Sequence, residues 1–207
     1  MKFETLTIQS VKSISQRALL WQWSELTAGR RFPPFSDFHV DGRTIDPKSI
    51  LIWTVERDAG DRRFRSRYHS GRLAEAFHGN WIGKTMEEMA PASLKQYALA
   101  TANECVDSGC AVFSILSTLD RAGHRIDCER LLLPFGKSAD VEQMVATMEL
   151  ISIKGDFQRR TILNEYRMAS TIEVAGRIAA GFKKPAVSTP GQVIERGTAG
   201  VSLLAPT

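Results

Sequence analysis

Long apolar runs are missing from this 207-residue sequence. No stretch approaches the ~20 consecutive apolar residues that a membrane-spanning helix needs. The first residues, Met1-Lys2-Phe3-Glu4-Thr5-Leu6, lack the continuous apolar segment of a secretory signal. Cysteine is scarce as well: Cys105, Cys110 and Cys128 form an odd set without CxxC spacing. That argues against a disulfide framework or a zinc site and for reduced thiols. Together these absences predict a soluble, cytoplasmic protein. Histidine is sparse, and His39, His69, His78 and His124 show no ligand spacing such as HxxxH or HExxH, so no metal is expected. Finally, there is no block of like charge. The net charge is +4 and the isoelectric point about 9.1. The basic residues are scattered (Arg62, Arg63, Arg65, Arg67; Arg159, Arg160; Lys183, Lys184) and never run to five, which argues against a nucleic-acid partner.

What is present is enough for one packed domain with extensions: 43% of residues are hydrophobic. After an indecisive segment 1–15, Leu19, Leu20, Trp23 and Leu26 recur at helical spacing, with Ser13 or Ser15 as cap and Gly29 as stop. Trp21 and Trp23 fall on different faces of this helix. One apolar residue is then left over after docking, which predicts a homodimer through residues 14–28. The prolines of Phe32-Pro33-Pro34-Phe35 forbid helix and predict an irregular wrap. Ser49–Glu56 reads as a strand, Arg57–Asp61 as a turn, and Arg63–Tyr68 as the returning strand, with Phe64, Ser66 and Tyr68 facing one way. A short helical piece with Leu73 and Phe77 follows, then a glycine-bracketed loop around Trp81. Thr85 can cap a turn through Met86 and Met89, and a longer helix spans residues 92–107. Three strands, at 110–119, 124–135 and 143–153, complete a meander. On the second of them Ile126, Cys128, Arg130 and Leu132 share one face. Phe157, Leu163, Tyr166 and Ile172 suggest a helical extension over 154–182. Residues 183–207 are rich in Pro, Gly, Ser and Thr and read as a disordered tail. The order predicts an α+β domain over 16–153: a five-stranded antiparallel sheet with helices on one face and the N-terminal helix flanking it.

Two segments imitate phosphate loops. Gly79-Asn80-Trp81-Ile82-Gly83-Lys84-Thr85 has three residues between its glycines where the Walker loop needs four, and Gly136-Lys137-Ser138 has Leu131 at the first glycine's place. Both read as turns.

In element order, and in Trp23–Pro33, Asp46-Pro47, Phe64–Tyr68, Ala74–Phe77, Gly83-Lys84 and Leu131–Phe135, the chain resembles the PAS superfamily. More narrowly, it resembles a bacterial family of small stand-alone PAS proteins. It departs from that pattern in reading Ser70-Gly71 after the second strand. The resemblance implies signal transduction by small-ligand sensing or protein–protein interaction, with output in trans through a signalling partner. It carries over no catalytic residues. Some PAS domains hold haem through a histidine, a role for which only His69 or His78 could be imagined. Flavin photosensors carry an Asn-Cys-Arg motif that is absent from this sequence, so neither haem nor flavin is supported. In such a cup, Trp53, Phe64, Tyr68, Phe77, Trp81, Tyr97 and Phe113 either line a ligand pocket or fill the core. An enzyme on the same cup would need an ionisable residue in the cavity. A nucleic-acid binder would use Arg63, Arg65 and Arg67.

Overall fold

The computed structural model describes residues 2–40, 47–58, 60–71, 73, 80–119, 124–152 and 171–182, the side chains of Lys48 and Ser152 apart. The predicted turn at 120–123, residues 154–170, the tail from 183, and the positions Asp46, Phe77 and His78 lie outside the described residues.

The strands are β1 (Glu4–Thr5), β2 (Ile50–Asp58), β3 (Asp61–His69), β4 (Ala111–Leu119), β5 (Arg125–Lys137), β6 (Asp140–Ser152) and β7 (Thr171–Ile178). The helices are α1 (Ile14–Thr27), α2 (Met86–Met89) and α3 (Ala92–Ser108). The order two strands, short helix, longer helix, three strands is therefore as expected. The strands form one sheet in the order β1-β7-β4-β5-β6-β2-β3. All neighbours are antiparallel except β1 and β7.

The sheet thus has seven strands, not five, and residues 171–178 are a strand where a helical extension was expected. Residues 111–118 of β4 are all buried. An unpaired edge there would bury backbone groups without partners, and β7 supplies them along Ala111–Ser117. Its β-branched Thr171, Ile172, Val174 and Ile178 suit the pleat. At Gly176 a Cβ would lie 2.7 Å from the Glu4 carbonyl oxygen, so the missing side chain is what lets β1 approach.

Helices also lie on both faces of the sheet rather than one. Alternation along β5 sends Glu129, Leu131, Leu133 and Phe135 to one side and Cys128, Arg130 and Leu132 to the other. The first side is covered by α1, where Ser13 Oγ accepts the Gln16 amide as the predicted cap. The Gln16 side chain donates to the Glu129 carbonyl and to Thr147 Oγ1, each at 3.1 Å. Trp23 Nε1 donates to the Pro134 carbonyl at 2.8 Å. The wrap after α1 packs Phe35 and Phe38 around Phe135, with ring centroids 5.7 and 5.1 Å away. Trp21, the expected surplus residue, is half-buried, and its ring lies 6.4 Å from that of Phe182. Ile14 is left 77% exposed on this helix.

Glu129 is fully buried beneath the start of α1, where Oε2 accepts the Ser13 amide at 3.2 Å and Oε1 has no partner among the described residues. Burial pushes its carboxyl above the ordinary range, with the Ser13 hydrogen bond opposing. An acid whose pKa is raised on folding holds its proton better in the folded state, so stability falls as pH rises from the unfolded toward the folded value. Glu129→Gln is therefore expected to stabilise the protein by about 1 kcal/mol at neutral pH. The gain should vanish in acid, where Glu129 itself is protonated. Urea melts of both proteins across pH 4–8, a range set by the ~4.3 of a free glutamate, check this. A gain independent of pH would refute the assignment.

Candidate ligand cavity

The second face of the sheet does not close completely. Between β2, β4, β5 and β6 on one side and α2, α3 and the loop around Trp81 on the other lies a cavity of about 100 Å³. Its walls are mostly apolar: Leu51 and Trp53 from β2, Leu132 from β5, Met86 from α2 and Leu94 from α3 are among them. Each strand presents alternate residues, so the lining follows from parity. Trp53 lies opposite Met144, Leu51 opposite Ala146, and Arg130 opposite both Ser114 and Met148.

Of the aromatic residues expected at the site, Trp53, Trp81 and Tyr97 line the cavity. Phe64 is fully buried but packs in the core without reaching it. Phe113 points to the opposite face, since its neighbours Val112 and Ser114 occupy the cavity side. Tyr68 is 43% exposed, which corrects the expectation that it shares a face with Phe64 and Ser66. The register slips between Ile52 and Trp53, which pair with Tyr68 and Ser66, so Arg67 is an extra residue on β3. That bulge turns Tyr68 outward.

The loop over the cavity mouth is held by backbone bonds. Gly83 N–H donates to the Ser66 carbonyl, Ser66 N–H to the Lys84 carbonyl, and Lys84 N–H to the Trp81 carbonyl. Those amides are committed to β3 and the turn, which disposes of a phosphate cradle by geometry as well as by spacing. His69 fixes the Trp81 side of the loop. Its Nδ1 lies 3.2 Å from the Ser70 carbonyl oxygen, and its Nε2 lies 3.1 Å from the Trp81 amide nitrogen and 3.0 Å from Asn80 Oδ1. The two rings meet edge-on at 6.3 Å. Thr85 and Glu88 form a capping box at the start of α2.

The residue missed by the aromatic search is Arg130. Its guanidinium sits over the Tyr97 ring, 5.0 Å from the centroid. Nε and Nη2 are shielded from solvent, yet neither makes a hydrogen bond among the described residues. Tyr97 is 8% exposed, and burial raises the pKa of its phenol, with the Arg130 charge opposing. The Ser114 hydroxyl is close enough to be felt by Tyr97, but neither oxygen has a hydrogen-bond partner among the described residues. Cys128, also on the wall, is pushed up to about 11 by burial, so it is a neutral thiol at physiological pH and a poor nucleophile. Burial likewise raises Cys105 well above its ordinary value. Among the described residues no group of His, Cys, Asp and Glu could hold a metal ion. Arg65 pairs with Glu56 and Arg62 with Asp107, both at 2.7 Å, which breaks the basic stripe on β3.

No family model matches the chain, and no curated protein does. Among solved structures it is similar to the photo-excited blue-light photoreceptor Vivid over 61% of this chain and 91% of that one, with 13% identity and a TM-score of 0.37. A cysteine-to-serine mutant of Vivid matches 59% of this chain and 94% of its own at 14% identity, with a TM-score of 0.36. Likeness at this level decides neither family nor function. No helix among the described residues is long and apolar enough to cross a membrane.

Proposed function

We propose that this is a PAS-type sensory protein that binds a small molecule between its sheet and α2–α3 and passes that state to a signalling partner in trans. The cavity carries the reading. Voids larger than a water molecule are few in a packed core, and the walls of this one come from elements that pack tightly elsewhere. The element order agrees with the family resemblance. Among the described residues the ionisable groups on its wall are Arg130, Tyr97 and Cys128, and burial raises the Tyr97 and Cys128 pKa values, so both hold their protons and neither offers a general base. This supports sensing over catalysis. Pairing of two protomers through α1 belongs to the same reading, with exposed Ile14 as the contact residue.

Native mass spectrometry of freshly purified protein tests both parts, together with an absorbance spectrum. The expected result is an added small-molecule mass that is lost on denaturation, and a dimeric ion. Ala146 lies on the cavity wall and is 1% exposed, so Ala146→Leu fills the void and should abolish the added mass. A bare mass, with no thermal shift against a panel of small metabolites, would end the sensory reading. A monomeric ion would end the dimer.

A further inference from the structure

We propose that the ligand is a small monocarboxylate with a short, branched apolar body, its carboxylate held by Arg130 and the Tyr97 hydroxyl. The inference rests on the sensory reading above and names the chemistry of the same site.

The polar groups on the wall are few, and they are donors. Arg130 presents Nε and Nη2, one edge of the guanidinium fork, without a partner among the described residues, and Tyr97 presents a hydroxyl in the same state. Both side chains border the cavity. Buried donors left without acceptors are rare in folded proteins, because each forfeits its bond to water and gains nothing in return. The compensation Arg130 has is the face of Tyr97. A ring face is an incomplete substitute for a counter-ion.

What this edge lacks is a planar acceptor carrying negative charge. A carboxylate fits it with two parallel hydrogen bonds, the geometry for which arginine is chosen over lysine. A phosphate or a dicarboxylate would bring further charge. Among the described residues the rest of the wall, with Leu51, Leu94, Leu116 and Leu132 prominent in it, offers no second cation for such charge. The remainder of the ligand must therefore be apolar. Size sets the last limit. A 150 Å³ apolar cavity holds benzene, so about 100 Å³ with an opening suits an acid of roughly five carbons.

The test compares isovalerate with its uncharged isostere isovaleramide, and uses benzene as a purely apolar probe. Binding is followed by calorimetry and by the fluorescence of Trp53 and Trp81. The expected result is that isovalerate binds at least tenfold tighter than isovaleramide, about the worth of one charge-assisted bond. Arg130→Met should erase that preference while benzene binding persists. Arg130→Lys should recover only part of it, because an ammonium is a point charge without the fork.

If benzene binds but acid and amide do not differ, the carboxylate assignment falls and the cavity reading stands. An acid preference that survives in Arg130→Met overturns the role of Arg130. If no probe binds to the wild-type protein, both this inference and the cavity reading fall.

Discussion

Trp23→Ala is expected to cost about 3–5 kcal/mol of stability, a large share of the ~5–15 kcal/mol that holds a typical domain folded. Trp23 is 1% exposed and lies where α1 meets β5, so truncation leaves an indole-sized void between two rigid surfaces. It also strips the Pro134 carbonyl of its hydrogen bond. Proline has no N–H, so β5 makes no ladder bond from the nitrogen of residue 134, and the indole ties α1 to the strand there. A loss of this size corresponds to a drop in melting temperature of roughly 6–20 °C for a chain of this length. Trp23→Phe separates the two contributions, since it keeps much of the apolar volume and loses the donor. It should cost less than half as much. A change below about 1 kcal/mol for Trp23→Ala would mean that α1 is not integral to the fold.

Arg130→Met is expected to act in the opposite direction and raise stability by about 1–3 kcal/mol in the absence of ligand. Methionine keeps the unbranched stem and much of its contact with the wall, and it removes two buried donors that have no acceptor among the described residues. The substitution forfeits the cation–π contact with Tyr97, a smaller contribution. Chemical denaturation of the two ligand-free proteins measures the difference. Equal or lower stability in the variant would show that the guanidinium is satisfied in solution. The expected gain is the signature of a residue kept for binding at the expense of the fold.

Much of the architecture was legible because it is written in local pattern. The β2–β3 hairpin, the β4–β5–β6 meander, the Ser13 cap of α1 and the Thr85 cap of α2 each follow from periodicity and short-range chemistry. β7 was not legible. Its Ala175 and Gly176 blunt the alternation, and the partner that makes it a strand, β4, lies far earlier in the chain. Nor was the slip at Arg67, a backbone event with no side-chain signature, and it moved Tyr68 from wall to surface. The site was half legible. Searching for aromatics found Trp53, Trp81 and Tyr97. The alternation Ile126, Cys128, Arg130, Leu132 already put one cation on an apolar face of β5. Periodicity alone could not say whether that face met solvent or a cavity.

The loop from Trp81 to Thr85 serves two surfaces at once. Trp81 borders the cavity, while Gly83, Lys84 and Thr85 bond along the outer side of β3, the last strand of the sheet. Displacing the loop from β3 would therefore expose the amide and carbonyl of Ser66 along with the cavity mouth, and an open edge of that kind is the geometry of strand addition. One short run of backbone bonds thus both caps the sheet edge and holds the rim of the cavity.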